Sequence, residues 1–396
     1  MKPLSLLVIL STVLFLLLAG YQIELPGINY DELLQMPAAI DLLKGPVNGA
    51  YHKFGSLQIY GVTVTLMNLD YIGAVKCYLL ALSMWIFGID VGVMRFTVLA
   101  IFVTGLAIFW RFAKEEYGER AAAIAVVLVA TDPGLMMLSR GDFGPIVIAF
   151  FARSLTLWLT MRWWRSEGNP IYLISVSFIA GLGFYDKINF SWFILALIVP
   201  GIIAYLVEKR RPRLSLWTIL GAMIAGLMAT FPFWVYNFYY NWPFLKRINH
   251  EMSLNDYINL VPHRTKVLAG LINGDGPSWL YFTSVDLASF PIEKSLQMPL
   301  FLAAWTVVLL VAIIQKQWRL VFLPGMIGLI ALQIFATPKE IGLHHWTMIH
   351  PLPHLIVGIA IDQIWGGLSR ARQIQRRIGQ LVLSFIILVT VGVTAF

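Results

Sequence analysis

The sequence begins with the apolar run PLSLLVILSTVLFLLLAG over Pro3–Gly20 and soon afterwards reads Asn29-Tyr30-Asp31-Glu32. An uncharged apolar run of about 20 residues is what a membrane-spanning helix requires. Lys2 precedes the run, which places its amino end on the cytoplasmic side and Asp31-Glu32 on the opposite side. No small-x-small cleavage site precedes the acidic pair, so we interpret Pro3–Gly20 as a retained first span and not as a cleaved signal peptide.

The composition is that of a membrane protein. Hydrophobic residues make up 59% of the 396 residues and charged residues only 13%, whereas soluble domains are about 25% charged. The chain is long enough for roughly ten membrane-spanning helices, the count of apolar segments with their sidedness gives about eleven spans, and we predict a single domain over residues 1–396. The one cysteine, Cys77, excludes an internal disulfide and a cysteine-rich metal site. The net charge of +8 is concentrated in short loops, which indicates the positive-inside rule and argues against a nucleic acid partner.

The basic loops decide the sidedness of the chain. They lie at residues 162–165, 209–213, 316–319 and 370–377. Placing them on the cytoplasmic side puts two long loops, at about residues 21–71 and 237–298, on the outer side. The counts from both ends agree only if Ile72–Trp110 crosses once, so we predict that Ile72–Gly88 is re-entrant or interfacial. The last apolar run stops at Phe396, which is consistent with truncation of the chain there.

These patterns predict an all-α polytopic membrane protein whose two outer loops carry interfacial helices. In the first loop, apolar residues recur at helical spacing between Leu33 and Leu43, and Gly45-Pro46 ends the helix. Asn29-x-x-Glu32 resembles a capping box at the start of this helix.

Ionisable side chains collect at span ends on the predicted outer side. They are Asp31, Glu32, Asp70, Lys76, Arg140, Asp142, Asp186, Lys187, His344 and His345. Charges at membrane depth usually face a cavity or a partner, so their convergence on one side indicates a site. Asp31 and Glu32 are explained either by helix capping or by a site, where a carboxylate could take a proton from a hydroxyl.

The other polar groups also have two interpretations. Lys76 and Lys187 either extend to the interface or neutralise a lipid-borne phosphate. Arg140 and Asp142 form a local ion pair or position a bound headgroup. The aromatic residues of the second outer loop fit an interfacial belt better than a sugar-stacking surface.

The seven histidines show no known metal-binding spacing, so we predict no metal site, although a divalent metal is chemically conceivable. His350 and His354 lie one helical turn apart, and we expect them to line a cavity. Gly-rich phosphate loops, Ser-His-Asp arrangements and HExxH are missing from the sequence.

The order of short motifs resembles the GT-C glycosyltransferases of the protein mannosyltransferase and aminoarabinose transferase kind (glycosyltransferase family 39-like). The motifs are Tyr30-Asp31-Glu32, Tyr71–Lys76, Phe87-Gly88, Val93-Met94-Arg95, Tyr117–Arg120, Leu138–Pro145, Gly181–Lys187, His344-His345-Trp346 and Pro351-Leu352-Pro353. They cover the chain from the first span to about Trp365. An arginine that the family carries shortly after the Asp-Glu pair is replaced here by Leu33-Leu34, and the large soluble tail of some relatives is missing.

The resemblance implies a polyprenyl-phosphate-linked sugar donor, inverting transfer and an active site facing outward. It implies that Asp31, with Glu32, is the catalytic acidic position, that Asp142 is the second acidic position, and that Lys187 lies near the donor phosphate. Asp70 and Lys76 match an acidic-basic pair, though at a different spacing. With Arg140, His344 and His345 they complete the predicted substrate-binding set. Because the sequence carries no eukaryotic targeting signal, we expect a bacterial inner membrane, with the site on the periplasmic side.

Three rival functions stay open from the sequence. A transporter or flippase would show internal repeats and broken helices near the membrane midplane, and no clear repeat is present. A glycan ligase or polymerase of similar architecture would carry arginine-rich outer loops, whereas few arginines lie there. The third rival keeps the fold without the activity. The sugar and the acceptor, whether lipid, glycan or protein, are not specified by the sequence.

Overall fold

The computed structural model describes residues 3–25, 27–45, 55–208, 211–248, 253–274, 297–338 and 342–369. These residues are almost entirely helical, as the sequence predicts. The helices are α1 (Pro3–Gly20), α2 (Tyr30–Lys44), α3 (Val75–Phe87), α4 (Val91–Tyr117), α5 (Glu119–Thr131), α6 (Pro133–Gly141), α7 (Val147–Arg165), α8 (Pro170–Asp186), α9 (Ser191–Val207), α10 (Leu216–Tyr239), α11 (Pro243–Ile248), α12 (Leu254–Asn273), α13 (Gln297–Ile314), α14 (Phe322–Ala336), α15 (Leu343–Trp346) and α16 (Leu352–Ser369).

Six described helical segments are long and apolar enough to cross a membrane. They are Pro3–Gly20, Val91–Tyr117, Ile188–Val207, Leu216–Tyr239, Gln297–Ile314 and Arg319–Ala336. Helices α5 and α6 together form a further, bent candidate, with an angle of 66° at the break between them. The protein is therefore an integral membrane protein, and the predicted total of about eleven spans stays a prediction because the apolar run at the carboxyl end lies outside the described residues.

The segment predicted to be re-entrant or interfacial forms helix α3, with 13 residues. This is shorter than the roughly 20 residues that a span needs. It packs against α2 through a small apolar cluster that includes Ala39, Leu80 and Met84.

Two small β-hairpins between α2 and α3 were not predicted. Strands β1 (Ser56–Ile59) and β2 (Val62–Thr65) pair antiparallel, with Ser56 opposite Thr65. Strands β3 (Met67–Leu69) and β4 (Ile72–Gly73) form the second pair, with an irregularity between Met67 and Leu69. The two hairpins lie within or at the end of the segment predicted to be the first outer loop, directly before α3.

The chain divides into two compact units. The first unit consists of Met1–Ala19, Trp110–Met137 and Leu254–Phe396, and the second unit consists of Gly20–Phe109 and Leu138–Ser253. In the first unit, α5 packs closely on α16. A Cβ atom at Gly358 would lie 2.3 Å from the carbonyl oxygen of Ala121, so only glycine permits this approach. In the second unit, α8 packs against both α7 and α10.

Candidate active site

The start of α2 is fixed by the predicted capping box, which the structure confirms. The side-chain oxygen of Asn29 accepts a hydrogen bond from the Glu32 backbone N–H at 3.0 Å. The Glu32 carboxylate in turn accepts one from the Asn29 backbone N–H at 2.9 Å. Asn29 also donates its side-chain amide to the carbonyl of Gly141 at 3.1 Å. The helix start is therefore tied to the turn that precedes α7.

Glu32 forms a buried ion pair with Arg95 of α4, a partner that the sequence analysis did not assign to the site. The guanidinium contacts both carboxylate oxygens, at 2.7 and 2.8 Å, and the two side chains are only 1% and 2% exposed. Arg95 also donates to the carbonyls of Ile23 and Gly27, at 2.7 and 3.1 Å. Both oxygens of Glu32 are thus engaged in holding the segment before α2 against α4.

Asp142 is held in the turn before α7 by contacts to both of its oxygens. It adopts a left-handed backbone conformation with φ of 44°, which Asp tolerates better than most residues. One oxygen accepts hydrogen bonds from the N–H groups of Ile146 and Val147, at 2.8 and 2.9 Å, at the start of α7. The other oxygen forms a buried ion pair with Lys76. Asp142 therefore joins the amino end of α7 to α3.

Arg140 extends toward the segment after α1, where its guanidinium donates to the carbonyl of Gln22. The local pair between Arg140 and Asp142 that the sequence suggested is replaced, for Asp142, by the pair with Lys76. Arg140 therefore contributes to the site by holding the chain that leads into α2.

Asp31 lies half-buried in the first turn of α2, facing the same turn as Asp142. Its Oδ2 accepts a hydrogen bond from the backbone N–H of Gly144 at 2.7 Å. Gly144 has a positive φ of 74°, a conformation that glycine adopts without strain. Oδ1 of Asp31 accepts no hydrogen bond from any residue that the structure describes.

The pKa of Asp31 is raised above its usual value by burial of the carboxyl group. The Gly144 hydrogen bond and the charges of Lys187 and Lys76 act in the opposite direction, because each favours the ionised form. Asp31 is thus a carboxylate with one anchored oxygen and a somewhat higher proton affinity than usual.

Lys187 follows the last residue of α8 and is 1% exposed. Its ammonium group donates to the carbonyl of Gly144, the residue whose N–H binds Asp31. The backbone of Lys187 forms an isolated antiparallel β-bridge with Ile72. The N–H of the next residue, Ile188, donates a hydrogen bond to the Tyr71 carbonyl at 3.1 Å. Burial lowers the pKa of Lys187 to about 8, although the charges of the neighbouring aspartates act to raise it.

Asp186 adds a third carboxylate beside the two lysines. It is 1% exposed, and its Oδ2 is buried without a hydrogen-bond partner among the described residues. The sequence placed Asp186 on the outer side but gave it no role. Asp31, Asp142, Asp186, Lys76 and Lys187 are linked by mutual electrostatic interactions, and we call these five residues the acidic cluster.

The remaining predicted site residues lie outside the acidic cluster. Asp70 accepts a hydrogen bond from the Tyr236 hydroxyl at 2.7 Å, whereas Lys76, its predicted partner, pairs with Asp142. His344 and His345 belong to the first unit, where their rings contact each other at 4.1 Å between centroids. Their role beside Asp31 stays a prediction.

A metal ion held within the acidic cluster alone is not supported by the described side chains. No three His, Cys, Asp or Glu groups of this cluster lie close enough together to share an ion, within the part of the chain that the structure describes.

Part of the chain matches a known protein family. Residues 74–236 match the family model described as dolichyl-phosphate-mannose-protein mannosyltransferase. The matched segment is less than half of the chain; it contains Lys76, Asp142 and Lys187 and begins after Asp31. No curated protein sequence matches the chain.

Solved structures of GT-C glycosyltransferases share the fold. ArnT from Cupriavidus metallidurans in the apo state matches with a TM-score of 0.62 and 13% identity, over 98% of this chain and 74% of that chain. The same enzyme bound to undecaprenyl phosphate gives a TM-score of 0.60 at 13% identity, over 98% and 74% of the two chains.

The archaeal oligosaccharyltransferase AglB from Archaeoglobus fulgidus, in complex with an inhibitory peptide and a dolichol-phosphate, is a more distant match. It gives a TM-score of 0.55 at 13% identity, over 99% of this chain but only 55% of that chain. The resemblance to the GT-C superfamily that the motifs indicated is therefore confirmed.

Proposed function

We propose that the protein transfers a sugar from a polyprenyl-phosphate donor to an acceptor hydroxyl, with inversion at the anomeric carbon and with Asp31 as the general base. The observation that carries this proposal is the difference between the three acidic positions. Glu32 and Asp142 have both oxygens engaged by protein groups. Asp31 has one oxygen oriented by Gly144 and a second that no described residue engages.

This geometry suits a base. A general base must be held in position and still offer a lone pair to the proton that it takes. The Gly144 N–H orients the carboxylate, and the raised pKa of Asp31 brings its proton affinity closer to that needed for abstraction from a hydroxyl. Glu32 and Asp142 then act as positioning residues, because they hold the α2 start and the 142–147 turn that meet at Asp31.

The lysines supply the second requirement of the reaction. The leaving group is a phosphate attached to a lipid, and its developing negative charge needs a cation at membrane depth. Lys187 is buried, and its ammonium group contacts the turn that orients Asp31. The related structures were determined with undecaprenyl phosphate and with a dolichol-phosphate, which supports a lipid monophosphate as the group that Lys187 and Lys76 recognise.

The proposed reaction is a single displacement. The acceptor oxygen forms a bond to the anomeric carbon while its proton passes to Asp31. The bond between that carbon and the phosphate oxygen breaks, and its electron pair stays on the lipid phosphate. We place the site on the non-cytoplasmic side on the basis of the basic loops, and we propose a bacterial inner membrane because the sequence shows no eukaryotic targeting signal.

Sugar transfer from a lipid monophosphate tests the function. We expect the purified protein in liposomes to consume at least one of a panel of radiolabelled polyprenyl-phosphate hexoses and pentoses and to release polyprenyl phosphate. The anomeric configuration of the product, determined by NMR, is expected to be opposite to that of the donor. Movement of intact labelled lipid across the bilayer would instead support a transporter, and use of a polyprenyl-diphosphate glycan would support a ligase.

We expect Lys187→Met to lower kcat/KM for the donor by about 10- to 100-fold, the range of a lost charge-assisted hydrogen bond. Most of the loss should appear in the KM for donor and in the Kd for polyprenyl phosphate alone. Lys246→Met, at an exposed lysine of the same unit, is the matched control and should leave both constants unchanged. Equal donor affinity in the two folded variants would remove Lys187 from the phosphate site.

A further inference from the structure

A second polar cluster lies in the first unit and has no part in the proposed transfer reaction. It consists of Asp132, His350 and His354, whose residues are 1%, 1% and 7% exposed. One ligand atom of each side chain lies within 4.8 Å of the others. The spacing of His350 and His354 predicted that they line a cavity, and nothing in the sequence connected them to Asp132.

Asp132 is positioned by the break between α5 and α6. The helix direction changes by 66° there, with Pro133 as the first residue of α6. One Asp132 oxygen accepts a hydrogen bond from the Leu135 N–H at 2.9 Å and so caps α6. Its other oxygen lies 3.0 Å from Nε2 of His354. The capping contact therefore fixes the orientation of the carboxylate toward the histidines.

The two histidines lie on the segment that enters α16. They are four positions apart in the sequence, and their ring centroids are 5.1 Å apart. His350 lies just before the first residue of α16 and His354 lies in its first turn, and a ligand atom of each ring lies within 4.8 Å of the Asp132 carboxylate.

We propose that Asp132, His350 and His354 bind a divalent transition-metal ion of the zinc class. Imidazole nitrogens with one carboxylate oxygen are a common ligand set for Zn²⁺. Metal–ligand bonds of about 2.1 Å in a tetrahedral site place ligand atoms about 3.4 Å apart. The three atoms already lie within 4.8 Å of one another, so binding requires only a small approach of the side chains. The Leu135 hydrogen bond to Asp132 is the kind of outer contact that orients a ligating carboxylate.

The hydrogen bond between Asp132 and His354 involves two of the three residues, and a ligand atom of His350 lies within 4.8 Å of both. A metal ion requires both imidazoles to be neutral and the carboxylate to be ionised. A metal ion at this position would contact all three buried groups.

The cluster also opens on a small pocket, which suggests an incomplete coordination shell. The pocket is lined by His350 and His354 together with mainly apolar residues that include Leu128, Ile272 and Phe301. Three protein ligands with a fourth position facing a pocket are typical of zinc sites that exchange water or a small ligand. The ion would connect the α5–α6 break to the start of α16.

Metal content tests this proposal without reference to transfer activity. The full chain, carrying a histidine-free affinity tag, is purified in detergent, stripped with a chelator, incubated with Zn²⁺ and desalted. We expect about one Zn²⁺ per chain by mass spectrometry in the wild type, and a rise in the thermal midpoint on adding the metal. Co²⁺ in its place should give the visible absorption of a site with nitrogen ligands.

The variants are chosen to separate metal binding from folding. His350→Ala and His354→Ala should each lose most of the bound metal, whereas His263→Ala, which removes a histidine elsewhere in the first unit, should retain it. Asp132→Asn keeps a group able to cap α6 and should also weaken binding. A wild type without stoichiometric metal would overturn the proposal, as would unchanged metal content in both folded histidine variants.

Discussion

Asp31→Asn is expected to lower kcat/KM for sugar transfer by about 10²- to 10⁴-fold, the range that a general base contributes. The carboxamide is nearly isosteric and can still accept the Gly144 hydrogen bond through its oxygen, so the start of α2 should stay in place. It cannot take a proton from the acceptor. The measurement is initial-rate kinetics with the polyprenyl-phosphate sugar that the wild type consumes in the donor panel, together with the thermal midpoint of each variant in detergent.

Asp90→Asn is the matched control for this substitution. Asp90 is an exposed acidic residue at a helix start of the same unit, and its side chain accepts a hydrogen bond from the Gly92 N–H at 2.7 Å. The same change of charge at this position should leave the transfer rate within about twofold, since surface changes away from a site have small effects. If the folded Asp31→Asn protein transfers sugar as fast as Asp90→Asn, Asp31 is a helix-start residue only.

The pH profile of the wild type gives an independent measure of the same role. The base must be ionised, so kcat/KM should rise with pH through the raised pKa of Asp31. The lysine must be protonated to hold the phosphate, so kcat/KM should fall again above about 8, where Lys187 loses its proton. The residual activity of Asp31→Asn should lack the acidic limb and keep the basic one.

The sequence predicts features of the site that depend on neighbouring residues. The capping box joins residues three positions apart, and its pattern of Asn followed by Glu carries the information directly. The end of α2 was predicted for the same reason, because Gly45 directly follows the last apolar residues of the repeat. In the structure Gly45 follows the last residue of α2 and has a positive φ of 79°. The positions of the apolar helices follow from runs of apolar residues that are visible in the sequence.

Contacts between distant parts of the chain could not be predicted from local sequence patterns. Arg95 was visible as a lone arginine in an apolar helix, which indicates a buried partner, but nothing local identified that partner as Glu32. The approach of Gly144 to Asp31 depends on how the turn before α7 folds over α2. The basic loops predicted only that Asp142 and Lys76 lie on the same side of the membrane. The structure shows that the two side chains form an ion pair.

The cluster of Asp132, His350 and His354 shows the same limit of prediction from sequence. The spacing of His350 and His354 indicated a shared face, but a metal site needs a third ligand, and Asp132 lies more than 200 positions earlier in the chain. The bend at Asp132 lies within an apolar run over residues 121–138, which has about the length of a single span. The short β-hairpins were missed because their strands, of two to four residues, are too brief for an alternating pattern to be recognised.

The ion pair between Glu32 and Arg95 is expected to give the largest effect on stability. Arg95→Met should lower the free energy of unfolding by about 3–5 kcal/mol, because it leaves the Glu32 carboxylate buried without a counter-charge. It also removes the donor to the carbonyls of Ile23 and Gly27. Chemical denaturation in detergent micelles, followed by circular dichroism, measures the change.

Combining Arg95→Met with Glu32→Gln should restore part of the lost stability, since the double variant no longer buries an unpaired charge. The control is Arg111→Met, which removes the guanidinium from an exposed pair with Glu115, whose side chains are 57% and 24% exposed. That change should cost only about 0.3–0.5 kcal/mol. Equal losses for Arg95→Met and Arg111→Met would mean that the buried pair does not hold α2 against α4, and Glu32 would then become a candidate for a direct role in the reaction beside Asp31.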